Sequence, residues 1–383
     1  MDSLIYTATL ELLSPLHIGT GTTLLEGVDW IERDPWVYIA DQNRLLETIL
    51  DRATAAGEDQ ANVIQAITGL TLEDLVKAGH LTPDDFGEGQ PLFRYRLRGE
   101  PAMNQIAEAI KDVYGRPYMP GSSLKGAMRT VLAVGGASVL KTDLSRTGRS
   151  RSWAAQPLER EILGPDPNHD LLRALQVSDS TPVDAAQLDL ARIHVFPSAQ
   201  QTGYGRSQGL DLDVEALRKG TTLTATIKVD GTLFGDDTPY GQEVRKELQF
   251  GRKQKWLTGL PKWARTVAGR RIAAEIEFLE SKTGGETALG FYRRLAGTWD
   301  GLAEDEFLLQ VGWGAGWQSK TFGSLLQRDA EAFERLVQEY RLSPQDRKRK
   351  AGQRFPKSRK LVRRGDKPAE PLGWIKVMLD PRS

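Results

Sequence analysis

Cysteine is absent from the 383 residues. Its absence removes disulfide frameworks and thiolate zinc sites, and it fits a reducing cytoplasm. Histidine is scarce: His17, His80, His169 and His194 lie far apart, so neither a histidine-built metal centre nor a Ser/His/Asp constellation can be assembled from them. No cofactor and no metal is expected. No run approaches the roughly 18 uncharged apolar residues of a membrane helix, and the opening MDSLIYTATLELLSPLHIG has no basic segment ahead of an apolar one. A soluble, unexported protein with no membrane partner is the expectation. Net charge is lacking too: 51 Lys and Arg balance 51 Asp and Glu, which argues against a generic nucleic-acid coat. That balance conceals an asymmetry, because residues 1–100 hold 17 acidic and 7 basic side chains while the remaining 283 hold 34 and 44. One end is suited to an anion, the other to protein or solvent.

The length exceeds what one core usually supports. LIYTATLELL alternates apolar and polar residues up to Pro15, the pattern of a half-buried strand, and VDWIERDPWVYIA reads as a hairpin around Arg33-Asp34-Pro35. Residues 41 to about 112 carry helical spacing with breaks, including PAMNQIAEAIKDVY, and are read as a mostly helical insertion. An apolar helix follows PYMPGSSLKG, with Ser122 or Ser123 as its cap. KTDLSRTGRSRSW is read as a loop, LLRALQVSDSTPV and LDLARIHVFPSAQ as strands, and TLTATIKVDG as a strand with Leu223, Ala225, Ile227 and Val229 on one face. Residues 240–280 read as helix interrupted at Gly259-Leu260-Pro261, 325–340 as an amphipathic helix, and PLGWIKVML as a last strand. Strands and helices interleave without a regular βαβ rhythm, which gives an α+β class.

VGWGAGWQSKTFG, residues 311–323, follows the strand-like Phe307 to Leu309 and resembles a phosphate cradle. Such a loop needs glycine before its lysine, and here Ser319 stands there. Too little regular sequence follows to complete a nucleotide-hydrolysing domain, so that chemistry is set aside. What Gly312, Gly314 and Gly316 supply is close backbone approach, with Trp313 and Trp317 as flat faces and Lys320 as a cation, a mixture suited to a phosphodiester with unstacked bases. A glycine turn whose tryptophans merely pack inward is the competing reading. In PYMPGSSLKGAMRTVL, Gly121, Ser122 and Ser123 open a helix whose first amides attract anions, and Lys125 and Arg129 are four apart on one face; an ordinary capped helix with solvated cations is the alternative. SPLHIGTG places His17, Gly19 and Gly21 at a strand end, again allowing close contact.

Two basic stretches add weight. Residues 251–271 interleave Arg252, Lys253, Lys255, Lys262, Arg265, Arg270 and Arg271 with Trp256 and Trp263. Residues 341–364 hold eleven Lys or Arg against Asp346 alone; 345–352 reads as a solvated run and RFPKSRKLVRR as an anchored segment. Catalysis finds little support. Asp29, Glu32 and Asp34 cluster in one hairpin, where a carboxylate could hold magnesium or position a 2′-hydroxyl, but turn chemistry explains them as well. No catalytic residue is assigned.

SPLHIGTG, YMPGSSLKGAMRTVL, LRALQVSDS, GWGAGWQSKTFG, RFPKSRKLV and PLGWIKVML, in that order across nearly the whole chain, resemble the RAMP superfamily, the repeat-associated RNA-binding proteins of CRISPR effector complexes. Within it, the single late glycine-rich loop and the closing FPKSRK and GW elements look most like the fifth subunit of type III-A (Csm) complexes. The resemblance implies two ferredoxin-like (RRM-like) modules, residues 1–200 with the helical insertion and 201–383 with the loop 312–323. It implies binding of guide RNA toward its 3′ end, a capping place on a filament of backbone and small subunits, and no nuclease activity. Target RNA and a recruited trimming nuclease are further partners it suggests. His17-Ile18-Gly19, Gly121 to Gly126 and Gly312 to Gly316 match the family pattern; the roles of Trp313, Trp317 and residues 252–271 rest on their chemistry alone. A RAMP-family endoribonuclease, cutting at Asp29 or Asp34 or processing guides with His17 as base, is the first rival. A protein adaptor docking through the acidic N-terminal part is the second.

Overall fold

The computed structural model describes residues 3–87, 91–148, 150, 153–196, 211–234, 250–342 and 354–382. The period-2 opening forms β1 (Leu4–Leu12), which buries Ala8, Leu10 and Leu12 completely. β2 (Gly19–Leu25) follows, then the hairpin β3 (Trp30–Arg33) and β4 (Trp36–Ala40). The helical stretch is shorter than its spacing predicts. α1 (Gln42–Ala55), α2 (Gln60–Ile67) and α3 (Leu72–Lys77) end before residue 80, and each begins at an Asp or Thr whose side chain accepts a backbone N–H.

β5 (Phe93–Arg98) and β6 (Gln105–Ala109) then replace the helix expected over 101–114. Ile106, Ala109 and Ile110 do sit three and four apart, but pairing with β2 on one side and with a later strand on the other overrides that local pattern. α4 (Gly121–Leu140) begins at Pro120, and no Ser side chain caps it. Instead the Gly121 N–H donates to Asp179 Oδ1 at 2.7 Å, so a carboxylate from a distant segment supplies the cap expected of Ser122 or Ser123.

α5 (Gln156–Leu163), β7 (Leu175–Val177), β8 (Leu188–Phe196), β9 (Leu212–Leu217) and β10 (Thr222–Val229) complete the first part of the chain. The expected face of Leu223, Ala225, Ile227 and Val229 is buried. α6 (Phe250–Thr258) and α7 (Leu260–Glu280) break at Gly259, where the sequence placed the interruption. α8 (Glu286–Asp300), β11 (Glu306–Gln310), the single turn α9 (Gly323–Leu326), α10 (Ala330–Glu339), β12 (Arg359–Arg364), β13 (Lys367–Pro371) and β14 (Trp374–Pro381) finish it. Residues 240–249 and 345–352, read respectively as helix and as a solvated basic run, lie outside the described residues.

The class is α+β, built on two sheets. One has five strands in the order β11-β14-β1-β10-β7, all antiparallel neighbours. The other runs β2-β6-β9-β8-β5-β4-β3, with β12 added beside β8 and β13 beside β12. Strands from both halves of the chain enter each sheet, and the boundary expected near residue 200 separates β8 from β9, which pair over six residues. α4 and α7 cover the five-stranded sheet. Gly135 and Gly136 let α7 and α6 approach α4: a Cβ at the first would lie 2.1 Å from the Trp263 ring of α7, and at the second 2.6 Å from the Trp256 ring of α6. α1 to α3 pack over β4 and β5 as a separate apolar cluster. Among the described residues no helix is long and apolar enough to cross a membrane.

Candidate nucleic-acid interface

Three glycine-bearing motifs, more than a hundred residues apart along the chain, line one cleft of about 760 Å³. His17, Gly19 and Gly21 come from the turn into β2, Ser122, Ser123 and Gly126 from the first turns of α4, and Gly312, Trp313 and Lys320 from the loop after β11.

His17 is 3% exposed and pins two of these segments. Its Nδ1 donates to the Glu215 carbonyl at 2.7 Å, its own carbonyl accepts the Trp313 N–H at 2.9 Å, and the two rings meet edge to face at 5.7 Å. Burial holds its pKa below the ordinary value, so the ring is neutral near pH 7 and Nε2 is left as an acceptor. Gly312 has a φ of +82°, and a Cβ there would stand 2.6 Å from the His17 carbonyl oxygen. Left-handed geometry and close approach both require glycine at that point.

Because the folded pKa of His17 is depressed, the unfolded chain binds more protons as pH falls through the ordinary value of 6.5. Its burial therefore costs nothing above that value and destabilises progressively from there down to the depressed one. Denaturant titrations at pH 7.5 and 5.5 are expected to show His17→Gln losing about 1 kcal/mol less than the parent across this interval. Equal losses would remove His17 from the titration.

The loop's hydroxyls turn inward. Ser319 Oγ donates to the Ala315 carbonyl at 2.8 Å and Thr321 Oγ1 to the Trp317 carbonyl at 2.8 Å, so neither is offered as in a nucleotide cradle. Trp317 packs against Phe355 at 5.2 Å and Phe333 at 5.9 Å. Trp313 is half-buried, and Lys360 Nζ lies 3.6 Å from the centre of its ring. Among the described residues no carboxylate pairs with Lys320 or Lys360. Burial, and secondarily the neighbouring Lys320 charge, lower the Lys360 pKa, so the two cations repel each other across the loop. Glu108 and Asp213 stand on the far wall, the first accepting from Thr20 Oγ1 at 3.3 Å and the second from the Ala102 and Met103 N–H groups.

Other expected residues lie elsewhere. Gly121 is buried, its N–H on Asp179. Arg129 is bound to Asp170 at 2.7 Å and Glu159 at 3.0 Å, on a face of α4 turned from the cleft, and Lys125 beside it is half-buried. Gly314 stands beside the neighbouring recess, and its φ of +83° sets it against Leu372; Gly316, at +85°, is exposed. In the basic stretch, Trp256 is 5% exposed in the core and Lys253 3%, its Nζ donating to the Glu161 carbonyl at 3.3 Å. Arg265 donates to the Leu302 and Ala303 carbonyls, while Lys255 and Lys262 are exposed away from the cleft. The side chain of Arg252 lies outside the described residues. Asp29 accepts the Leu25 N–H at 2.8 Å within its own turn, and the described residues contain no cluster of three metal-ligating side chains.

Sequence reading missed the support beneath His17. Glu215 is fully buried and accepts from Tyr95 Oη at 2.6 Å, the Ala109 N–H at 2.8 Å and Lys111 Nζ. Burial pushes the Tyr95 hydroxyl far above its ordinary pKa, so it stays a donor. The one local signal was an acidic residue amid the apolar LDVEAL.

The model of the RAMP superfamily matches residues 9–319, and the chain belongs to that family. More particularly, it is similar to proteins described as CRISPR system Cms protein Csm5. The one from Streptococcus thermophilus is 27% identical over 48% of this chain and 54% of its own length, so the chain spans about half of that relative. The one from Methanocaldococcus jannaschii is 22% identical over 96% of this chain and 88% of its own. Among solved structures, a chain in the cryo-EM structure of a Csm-crRNA-target RNA ternary complex of a type III-A CRISPR-Cas system superposes with a TM-score of 0.69 at 23% identity, covering 98% of this chain and all of that one. The crystal structure of T. onnurineus Csm5 gives 0.63 at 24%, covering 96% and 99%. At these identities the likeness is one of fold.

Proposed function

We propose that this protein is an RNA-binding subunit of a type III-A CRISPR effector complex, holding and capping the 3′ part of the guide RNA and supporting its maturation and RNA-guided interference. The convergence of three distant glycine motifs on one cleft, with Lys320 in its lining and Lys360 over its Trp313 ring, neither paired with a carboxylate among the described residues, is the observation that carries this reading. Relatives named Csm5 and the fold shared with a chain of a guide- and target-bound Csm complex support it. Backbone and small subunits are its proposed neighbours, with target RNA and a trimming nuclease as further partners. In this reading the subunit is a scaffold that cuts nothing, and Asp29 is engaged within its own turn. The acceptor Nε2 of His17 suits a ribose 2′-hydroxyl.

Ferredoxin-like architecture is part of the proposal. In the set β1, α4, β7, β10, α7 and β14, the first and third strands lie at the centre and the second and fourth at the outside, the order of a ββ-linked pair of βαβ units. The two modules then exchange strands rather than dividing at residue 200.

Ultraviolet crosslinking of purified protein to guide RNA tests the reading. Crosslinked peptides are expected from 17–23, 119–130 and 310–322. Crosslinks confined to 345–352 would leave only a nonspecific basic run.

A further inference from the structure

Beside the cleft, and sharing Gln310, Trp313 and Lys320 with it, lies a second recess of about 460 Å³. Its charge is unbalanced. Glu275, 3% exposed, is the one carboxylate among the described residues that line it, and Arg359 claims that group with Nε at 2.9 and 2.6 Å from its two oxygens. Arg271 is left over. Its guanidinium donates to the Ala315 carbonyl and stands 5.6 Å from the Trp374 ring, while its Nε is buried with no partner among the described residues. Glu275 is the opposing charge it feels, but that carboxylate is already hydrogen-bonded to Arg359, and a partly buried guanidinium whose one nearby anion is engaged elsewhere is costly and stays charged at any physiological pH. Lys320 and Lys360 extend the same sign to the mouth. The volume falls within the range of small-molecule sites, and Trp317 supplies a flat wall.

We propose that this recess binds one nucleoside monophosphate unit, its phosphate answering Arg271 and the two lysines and its base lying along Trp317. The unit is either a nucleotide of the bound strand turned sideways out of the cleft or a free mononucleotide. The first source rests on the RNA-binding reading above; the second does not.

Two assays on the whole chain separate these sources. Single-stranded RNAs carrying 2-aminopurine at successive positions are expected to show one position whose emission differs from its neighbours. Arg271→Met, and Ser358→Trp at the exposed rim, are each expected to erase that difference while strand affinity falls less than about threefold. Calorimetric titration with adenosine and uridine 5′-monophosphates is the other assay: binding weakened about tenfold by Arg271→Met assigns the recess to a free nucleotide. Thermal melts of both variants check that they fold, and Ser358→Trp carries the test if Arg271→Met does not. A strand that binds normally with all positions alike, together with no monophosphate binding, overturns the recess site and leaves the RNA-binding reading standing. If no strand binds, that reading fails and the monophosphate titration alone decides the recess.

Discussion

Lys320→Ala combined with Lys360→Ala is expected to weaken guide RNA binding about 10- to 100-fold at about 0.15 M salt, and to reduce the slope of log K against log salt by about 2. Both ammonium groups stand at the glycine loop, one exposed and one over the Trp313 ring, and no described carboxylate shares either charge. A cation already paired inside the protein has less to offer a phosphate, which is why Arg129, held by Asp170 and Glu159, is a weaker candidate. Lys255→Ala with Lys262→Ala removes equal charge from exposed positions outside the cleft. That control is expected to change affinity no more than about twofold. Filter binding across a salt series measures both pairs. If the control weakens binding as much as the cleft pair does, the basic stretch 252–271 holds the RNA and the cleft does not. Because burial and Lys320 depress the Lys360 pKa, binding is also expected to decline at a lower pH than an ordinary lysine would give.

Glu215→Ala is expected to be the most damaging single substitution near the site, destabilising the protein by about 3–5 kcal/mol. The change strips a partner from Lys111 Nζ, Tyr95 Oη and the Ala109 N–H together, and Lys111 is itself nearly buried, so its ammonium group keeps only the Ala109 carbonyl at 3.0 Å and the longer contact to Glu108 at 3.6 Å. Glu215→Gln keeps the shape and two of the hydrogen bonds but not the charge, and falls between. Urea denaturation followed by tryptophan fluorescence reports both. A loss below about 1 kcal/mol for Glu215→Ala would mean that water reaches Lys111 and that the network does not hold His17 in place.

Much of the framework was legible because periodicity is local. β1, β10 and β14 alternate, α7 begins where Gly259-Leu260-Pro261 breaks the helical spacing, and α10 shows its apolar stripe. What the chain concealed depends on partners far away in sequence. β6 carries spacing that fits a helix until β2 and β9 flank it. The α4 cap comes from Asp179, 58 residues beyond Gly121. The site divides in the same way. Glycines that permit close approach can be picked out from composition, and His17, Gly19, Gly21, Ser122, Ser123 and Lys320 do meet at one cleft. Whether a given cation is free cannot be read from its neighbours along the chain: Arg129 and Lys253 are engaged by groups 30 or more residues away. Lys360 looked like one member of a basic run until the fold set it over Trp313.

β1, made within the first dozen residues, is flanked on one edge by β10 and on the other by β14, with Leu12 opposite Ile375. During synthesis its second edge has nothing to pair with until some 360 further residues have left the ribosome. Closure of the central sheet is therefore a late event governed by loop-closure entropy, and such long-range pairing makes for slow folding. Nascent chains stalled before β14 should display that open edge to any strand nearby, their own neighbours on a polysome included.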